Sequence, residues 1–154
     1  PYPRGVCIHE LFEAQVERTP GAVAVVFEDE ALTYAELNAR ANRLAHRLIG
    51  SGVEPETRVG IAVERSIDMV VGLLAVLKSG GAYVPLDPEY PDERLRFMVC
   101  DAGIELLVTQ AQLSSRLADT VAKSIRVDAD WPEIANESED NPPLWANGAW
   151  ASMK

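Results

Sequence analysis

An α/β architecture, with a mainly parallel sheet flanked by helices, is what these 154 residues predict. Three observations carry that expectation. Short runs rich in Val, Ile and Leu alternate with segments whose apolar residues recur every three or four positions, the pattern of strand–helix–strand units with right-handed crossovers. Ile104 to Thr109 is almost wholly apolar, as in a strand covered on both faces. Ile67 to Lys78 is apolar nearly all round, as in a helix buried on most sides.

Each element has a local reason. Ile8 to Glu17 places Ile8, Leu11, Phe12 and Val16 on one helical face, and Thr19-Pro20-Gly21 stops it. Ala22 to Phe27 reads as a strand, Glu28-Asp29-Glu30 as the turn of a small hairpin, and Ala31 and Leu32 as the return strand. Thr33 and Glu36 have the spacing of a capping box, with Leu32 and Leu37 placed as a hydrophobic staple. The helix they open carries an apolar stripe of Leu37, Ala41, Leu44, Ala45 and Leu48, with Arg40, Arg43 and Arg47 away from it, and ends at Gly50-Ser51-Gly52. A strand is expected over Arg58 to Val63. Ser66 then stands as N-cap of Ile67 to Lys78, with Lys78 at the negative end of the helix dipole and Gly80-Gly81 beyond it. Ala82 to Val84 is a strand. Pro91 pre-sets a helix running to about Asp101, which Gly103 ends. The strand Ile104 to Thr109, a short helix over Gln112 to Ala118 and a strand over Ser124 to Val127 complete the pattern.

After Val127 the composition changes. Asp128, Asp130, Glu133, Glu137, Glu139 and Asp140 make an acidic run, and Asn141-Pro142-Pro143 propagates neither helix nor sheet. The chain therefore divides into 1–127 and an acidic, extended segment over 128–154. Composition excludes several functions. With 47% apolar and 25% charged residues the chain is globular rather than disordered, and a net charge of −10 argues against a nucleic-acid surface built from clustered Lys and Arg. The longest apolar run, Met69 to Leu77, is far short of the roughly 20 residues of a membrane span. Cys7 and Cys100 lack metal-ligand spacing; they fit a reducing cytoplasm and the role of small buried side chains.

Residues 77–98, Leu-Lys-Ser-Gly-Gly-Ala-Tyr-Val-Pro-Leu-Asp-Pro-Glu-Tyr-Pro-Asp-Glu-Arg-Leu-Arg-Phe-Met, carry a specific resemblance. Leu77 to Asp87 resembles the second core motif of the adenylation domains of nonribosomal peptide synthetases, in the acyl-adenylate-forming (AMP-binding) superfamily. Leu32-Thr33-Tyr34-Ala35-Glu36-Leu37-Asn38 resembles the first, and Arg58 to Ile61 and Glu64-Arg65-Ser66 fall between them as that pattern requires. The resemblance runs from about Cys7 to Ala146 and assigns residues 1–127 to part of the N-terminal subdomain of the adenylate-forming fold. It implies a parent reaction in which an amino acid and ATP, with magnesium, give aminoacyl-AMP and pyrophosphate, followed by transfer to the phosphopantetheine thiol of a carrier domain. It implies as partners the remainder of that domain or neighbouring synthetase domains.

The resemblance carries over no catalytic, cofactor-binding or metal residue, because the phosphate loop and later motifs of such domains match no position here. No Gly-rich loop, Walker-type Gly-Lys-Ser or Gly-x-Gly-x-x-Gly occurs. The departure after Asn147 suggests truncation, a frameshift or an engineered junction. Expectation for the 154 residues is therefore a piece of a ligase that is inactive alone, or an interaction module that docks on a complementary fragment and self-associates through exposed apolar surface.

Other groups have structural explanations. His9 reads as a capping or solvated imidazole and His46 as solvated. Asp87, Glu89, Asp92 and Glu93 fit turn and first-turn roles, Tyr83 and Tyr90 pack on Pro85 or Pro88, and Gly80-Gly81 fits a helix cap. Trp131, Trp145 and Trp150 either cover apolar surface or stand exposed.

Overall fold

Thr33 opens a helix as its spacing predicts. Its Oγ1 accepts from the Glu36 amide at 3.1 Å, and Glu36 Oε1 accepts from the Thr33 amide at 2.8 Å. In the computed structural model, which describes residues 8–117, 119–121 and 123–142, this helix is the longest of six. Cys7, Ala118, Trp145, Trp150 and everything from Pro143 onwards lie outside the described residues.

Helix α1 (Ile8–Arg18) comes first among the described elements, followed by the hairpin of β1 (Val23–Phe27) and β2 (Glu30–Thr33), which turns through Glu28 and Asp29. Helix α2 (Tyr34–Gly50), strand β3 (Arg58–Ala62), helix α3 (Ile67–Lys78), strand β4 (Ala82–Pro85) and helix α4 (Asp92–Ala102) follow. Strand β5 (Leu106–Thr109), helix α5 (Ala111–Leu117), strand β6 (Lys123–Arg126) and helix α6 (Trp131–Ile134) complete them. Strands β4-β3-β5-β6, in that spatial order, make one sheet in which every pairing is parallel. The predicted α/β class, parallel sheet and small hairpin are all present.

Alternation along β5 explains its continuous apolar sequence. Leu106 and Val108 pack with Leu44, Leu48, Val71 and Val76 on the α2/α3 face, whereas Leu107 packs with Leu95, Val99 and Leu117 on the α4/α5 face. Helix α3 is sandwiched between α2 and the sheet, and none of its residues is exposed. Gly103 closes α4 at φ 65 and ψ 42, with the Ile104 amide donating to Val99 O; this left-handed position favours glycine. Gly81 is needed for a different reason, because a Cβ there would sit 3.2 Å from the backbone oxygen of Thr57.

Several local expectations are corrected. Ser66 occupies the N-cap position of α3, but its hydroxyl donates to Glu64 O at 2.9 Å and caps nothing. Pro91 is the N-cap of α4, one residue before the helix, and its carbonyl accepts from the Leu95 amide. The segment after Val127 is not extended throughout: Asp130 N-caps the single turn of α6, which buries Ile134 completely and packs Trp131 on the core. Cys100 is exposed, because α4 turns Leu95 and Val99 inward and leaves Cys100 on its outer side.

The largest corrections concern His9 and Lys78. Lys78 stands in the last turn of its helix as expected, but it is also fully buried, paired with Glu13 of α1, with its Nζ 5.8 Å from the centre of the Phe12 ring. His9 is 5% exposed, and its Nε2 has no hydrogen-bond partner. Burial holds the imidazole below its ordinary value of 6.5, against the opposing pull of Glu13 and Glu10 and with help from the Lys78 charge. The unfolded chain then binds a proton that the folded chain resists. His9 therefore removes stability as pH falls below 6.5 towards its folded value, and the loss ends once both states are protonated. Urea unfolding at about pH 7 and about pH 5 checks this: the wild-type loss of stability should be smaller in His9→Gln, and equal losses would contradict it.

Candidate functional site

A cleft of about 540 Å³ opens at the carboxyl ends of β3 and β4. That end of a parallel sheet is where ligands of open α/β folds bind. Its floor and walls are mostly apolar, from Ile61, Val63, Met69, Leu73, Leu86 and Met98, and Tyr83, Pro85, Pro88 and Tyr90 form one side. Both tyrosines and both prolines line the same cleft. Tyr90 is also covered by the Arg94 guanidinium, 4.3 Å from the ring centre.

The loop bounding the cleft is held by its own turn chemistry and by one distant arginine. Asp87 Oδ1 accepts from the Glu89 amide at 2.9 Å, the turn role predicted for it. Asp92 and Glu93 fill the first turn of α4, where the dipole favours them. Arg116, on α5, donates to Pro88 O at 2.7 Å, Tyr90 O at 2.8 Å and Asp92 Oδ1 at 2.6 Å. Nothing in the sequence points to Arg116, whose 24-residue separation from Asp92 leaves no local signal. Gly80 and Gly81 lie at the other end of β4 and act as the cap of α3, Gly80 at φ 86.

The charged lining of the cleft is Glu64, Arg65, Asp87 and Glu89, three carboxylates to one guanidinium. Such a lining repels a triphosphate. Among the described residues no group of three or more His, Cys, Asp or Glu could hold a metal ion. Between β3 and β5, where the strand order reverses, Gln110 Oε1 accepts from the Glu64 amide at 3.0 Å and Thr109 Oγ1 donates to Ala62 O at 2.8 Å. These bonds tie the carboxyl ends of the two strands together. A smaller hollow of about 160 Å³ lies between Arg40, Asp68, Val71, Val127 and Trp131. Burial raises the Asp68 carboxyl, opposed by a hydrogen bond from Gln110 and by the Arg40 charge.

A polar cluster lies away from the cleft, where α1, α2 and α3 meet residues 139–141. Asn42, fully buried, donates from Nδ2 to Glu139 O at 2.7 Å and to Asn141 Oδ1 at 2.9 Å. His46 is not simply solvated, since its Nε2 donates to Asp140 O at 2.8 Å. None of the sequence-predicted groups converges on a reacting centre.

Comparison with known proteins places the fold in a family. The family model for the AMP-binding enzyme matches residues 12–149. A linear gramicidin synthase of Brevibacillus parabrevis is 53% identical over 140 residues, 91% of this chain and 2% of that protein. Bacitracin synthase 3 of Bacillus licheniformis is 57% identical over 110 residues, 71% of this chain and again 2% of the relative. The chain thus spans about one fiftieth of the length of each of these two relatives. Among solved structures, the nonribosomal peptide synthetase FmoA3 superposes with a TM-score of 0.79 at 32% identity, over 92% of this chain and 15% of that one. A Mycobacterium tuberculosis fatty acyl CoA synthetase has a TM-score of 0.80 at 22% identity over 89% of this chain and 30% of its own, a likeness of fold alone. The chain belongs to the AMP-binding enzyme family, and within it corresponds to an N-terminal part of the adenylation domains of nonribosomal peptide synthetases.

Proposed function

We propose that these residues are a structural part of an amino-acid-activating adenylation domain. In the parent reaction the amino-acid carboxylate attacks the α-phosphorus of ATP, giving aminoacyl-AMP and releasing pyrophosphate. The thiol of a carrier-domain phosphopantetheine then takes the aminoacyl group and AMP leaves. The observation that carries this reading is the 53% identity to a linear gramicidin synthase over 91% of the chain.

The acidic lining of the cleft disfavours the phosphates of ATP, and among the described residues no group of three or more His, Cys, Asp or Glu could hold a magnesium ion, so no step is assigned to them. Their part is to hold a parallel sheet and its helices rigid beneath a site completed elsewhere. Neighbouring synthetase segments are the partners this reading supplies. The cleft at β4, an edge strand, and the exposed side chains Val23, Val26 and Phe97 are the surfaces such segments would cover, or through which an isolated chain would self-associate. The reading places the protein in the cytoplasm on its cysteine usage; among the described residues no helix is long and apolar enough to cross a membrane.

Pyrophosphate exchange into ATP, with a panel of amino acids, tests the proposal for these 154 residues. Background exchange is expected with every amino acid, and exchange above background with any one would overturn it.

A further inference from the structure

The polar side of α2 is not a solvated face. Asn38, Asn42 and His46 recur every four residues, and each donates to the segment Glu139–Asn141. Arg43 adds a bond to Glu139 Oε2 at 2.6 Å, and Arg47 pairs with Glu133 at 3.2 Å. The pattern converges on one atom. Asn141 Oδ1 accepts from Asn38 Nδ2 at 3.2 Å, from Asn42 Nδ2 at 2.9 Å and from the buried Lys78 Nζ at 3.3 Å.

That convergence has a cost visible in the same place. The amide oxygens of Asn38 and Asn42 are buried without hydrogen-bond partners, because both amides turn their NH2 groups towards Asn141. Reversing Asn42 would set its oxygen against Glu139 O and Asn141 Oδ1, so the acceptor positions of the segment fix its orientation. Pro142 follows at once, is buried, and restricts the backbone of Asn141.

We propose that Glu139–Asn141 is a latch, keyed by the Asn141 side-chain oxygen, that docks on the Asn38–Asn42–His46 stripe and holds this segment against the α2/α3 layer. Asn141 is a positioning residue: it anchors Glu139–Asn141 on α2 and adds an acceptor beside the Lys78–Glu13 pair. The inference does not depend on the adenylation reading, since it concerns contacts within this chain alone.

NMR relaxation on the 154-residue chain tests it. In the wild type, backbone order parameters of residues 138–141 should match those of α2, at about 0.85. Asn141→Ala should drop the segment below about 0.6 while α2 and β3 stay rigid, and Asn42→Ala should do the same through the other end of the contact. Asn141→Asp should keep the segment rigid, because a carboxylate accepts from the same three donors, and should raise the pKa of the Lys78 ammonium. The proposal is overturned if the segment is mobile in the wild type or stays rigid in Asn141→Ala. Loosening of α2 together with the segment, or a mobile segment in Asn141→Asp, overturns it as well.

Discussion

Glu13→Ala is expected to destabilise the protein by about 3–5 kcal/mol, because it strands an ammonium in the interior. Lys78 is fully buried between α1, α2 and α3, and burial pulls its pKa down from 10.5 while the Glu13 hydrogen bond and charge pull it up. With Glu13 gone the downward influence is opposed only by the contact to Asn141 at 3.3 Å and the Phe12 ring 5.8 Å away. The asymmetry between breaking and replacing the pair sharpens the test. Lys78→Met added to Glu13→Ala should restore most of the loss, since a well-packed apolar side chain in place of a buried pair is often neutral or better. Urea unfolding of the three proteins measures both effects. A Glu13→Ala variant within about 1 kcal/mol of wild type would mean the pair is solvated rather than buried.

The second large effect is in the core. Leu44 is wholly inaccessible and belongs to the cluster that joins α2 to α3 and to one face of β3 and β5. Leu44→Ala removes its dispersion contacts and leaves a void that close-packed neighbours fill only in part, for a loss of about 2–5 kcal/mol. The outward-facing Phe97→Ala, 66% exposed on α4, should change stability by no more than about 0.5 kcal/mol. Equal losses at the two positions, read from denaturant midpoints, would contradict the assignment of the core to the α2–α3–sheet layer.

The two positions also show what the sequence can reveal. Leu44 is legible because its stripe, Leu37 to Leu48, repeats at helical spacing, and the capping box that starts the helix is written in two residues three apart. The glycine terminators of α3 and α4 are legible for the same reason, their chemistry being local. What α1 covers is not local. Nothing near Lys78 in sequence says that Glu13, 65 residues earlier, lies against it, so a helix-end lysine reads as a dipole partner and His9 as a surface imidazole. Exposure of Cys100 is hidden similarly, since α4 is amphipathic and a cysteine on its boundary fits either side. The Asn38–Asn42–His46 spacing is a readable signal for the contact with residues 139–141, but it is masked because polar helix faces are usually wet. Strand order β4-β3-β5-β6 is beyond reach, as it depends on which side each crossover takes. The candidate site itself is not legible in the sequence, which offers no nucleotide-binding motif; the cleft's charged lining, Glu64, Arg65, Asp87 and Glu89, is brought together from two loops with no local signal.

Titration of the purified chain with ATP in the presence of magnesium, followed by calorimetry, tests the central claim most directly. Heats indistinguishable from dilution are predicted, because the cleft at the sheet's carboxyl edge sets three carboxylates against the single guanidinium of Arg65. A saturable, magnesium-dependent isotherm would contradict the account.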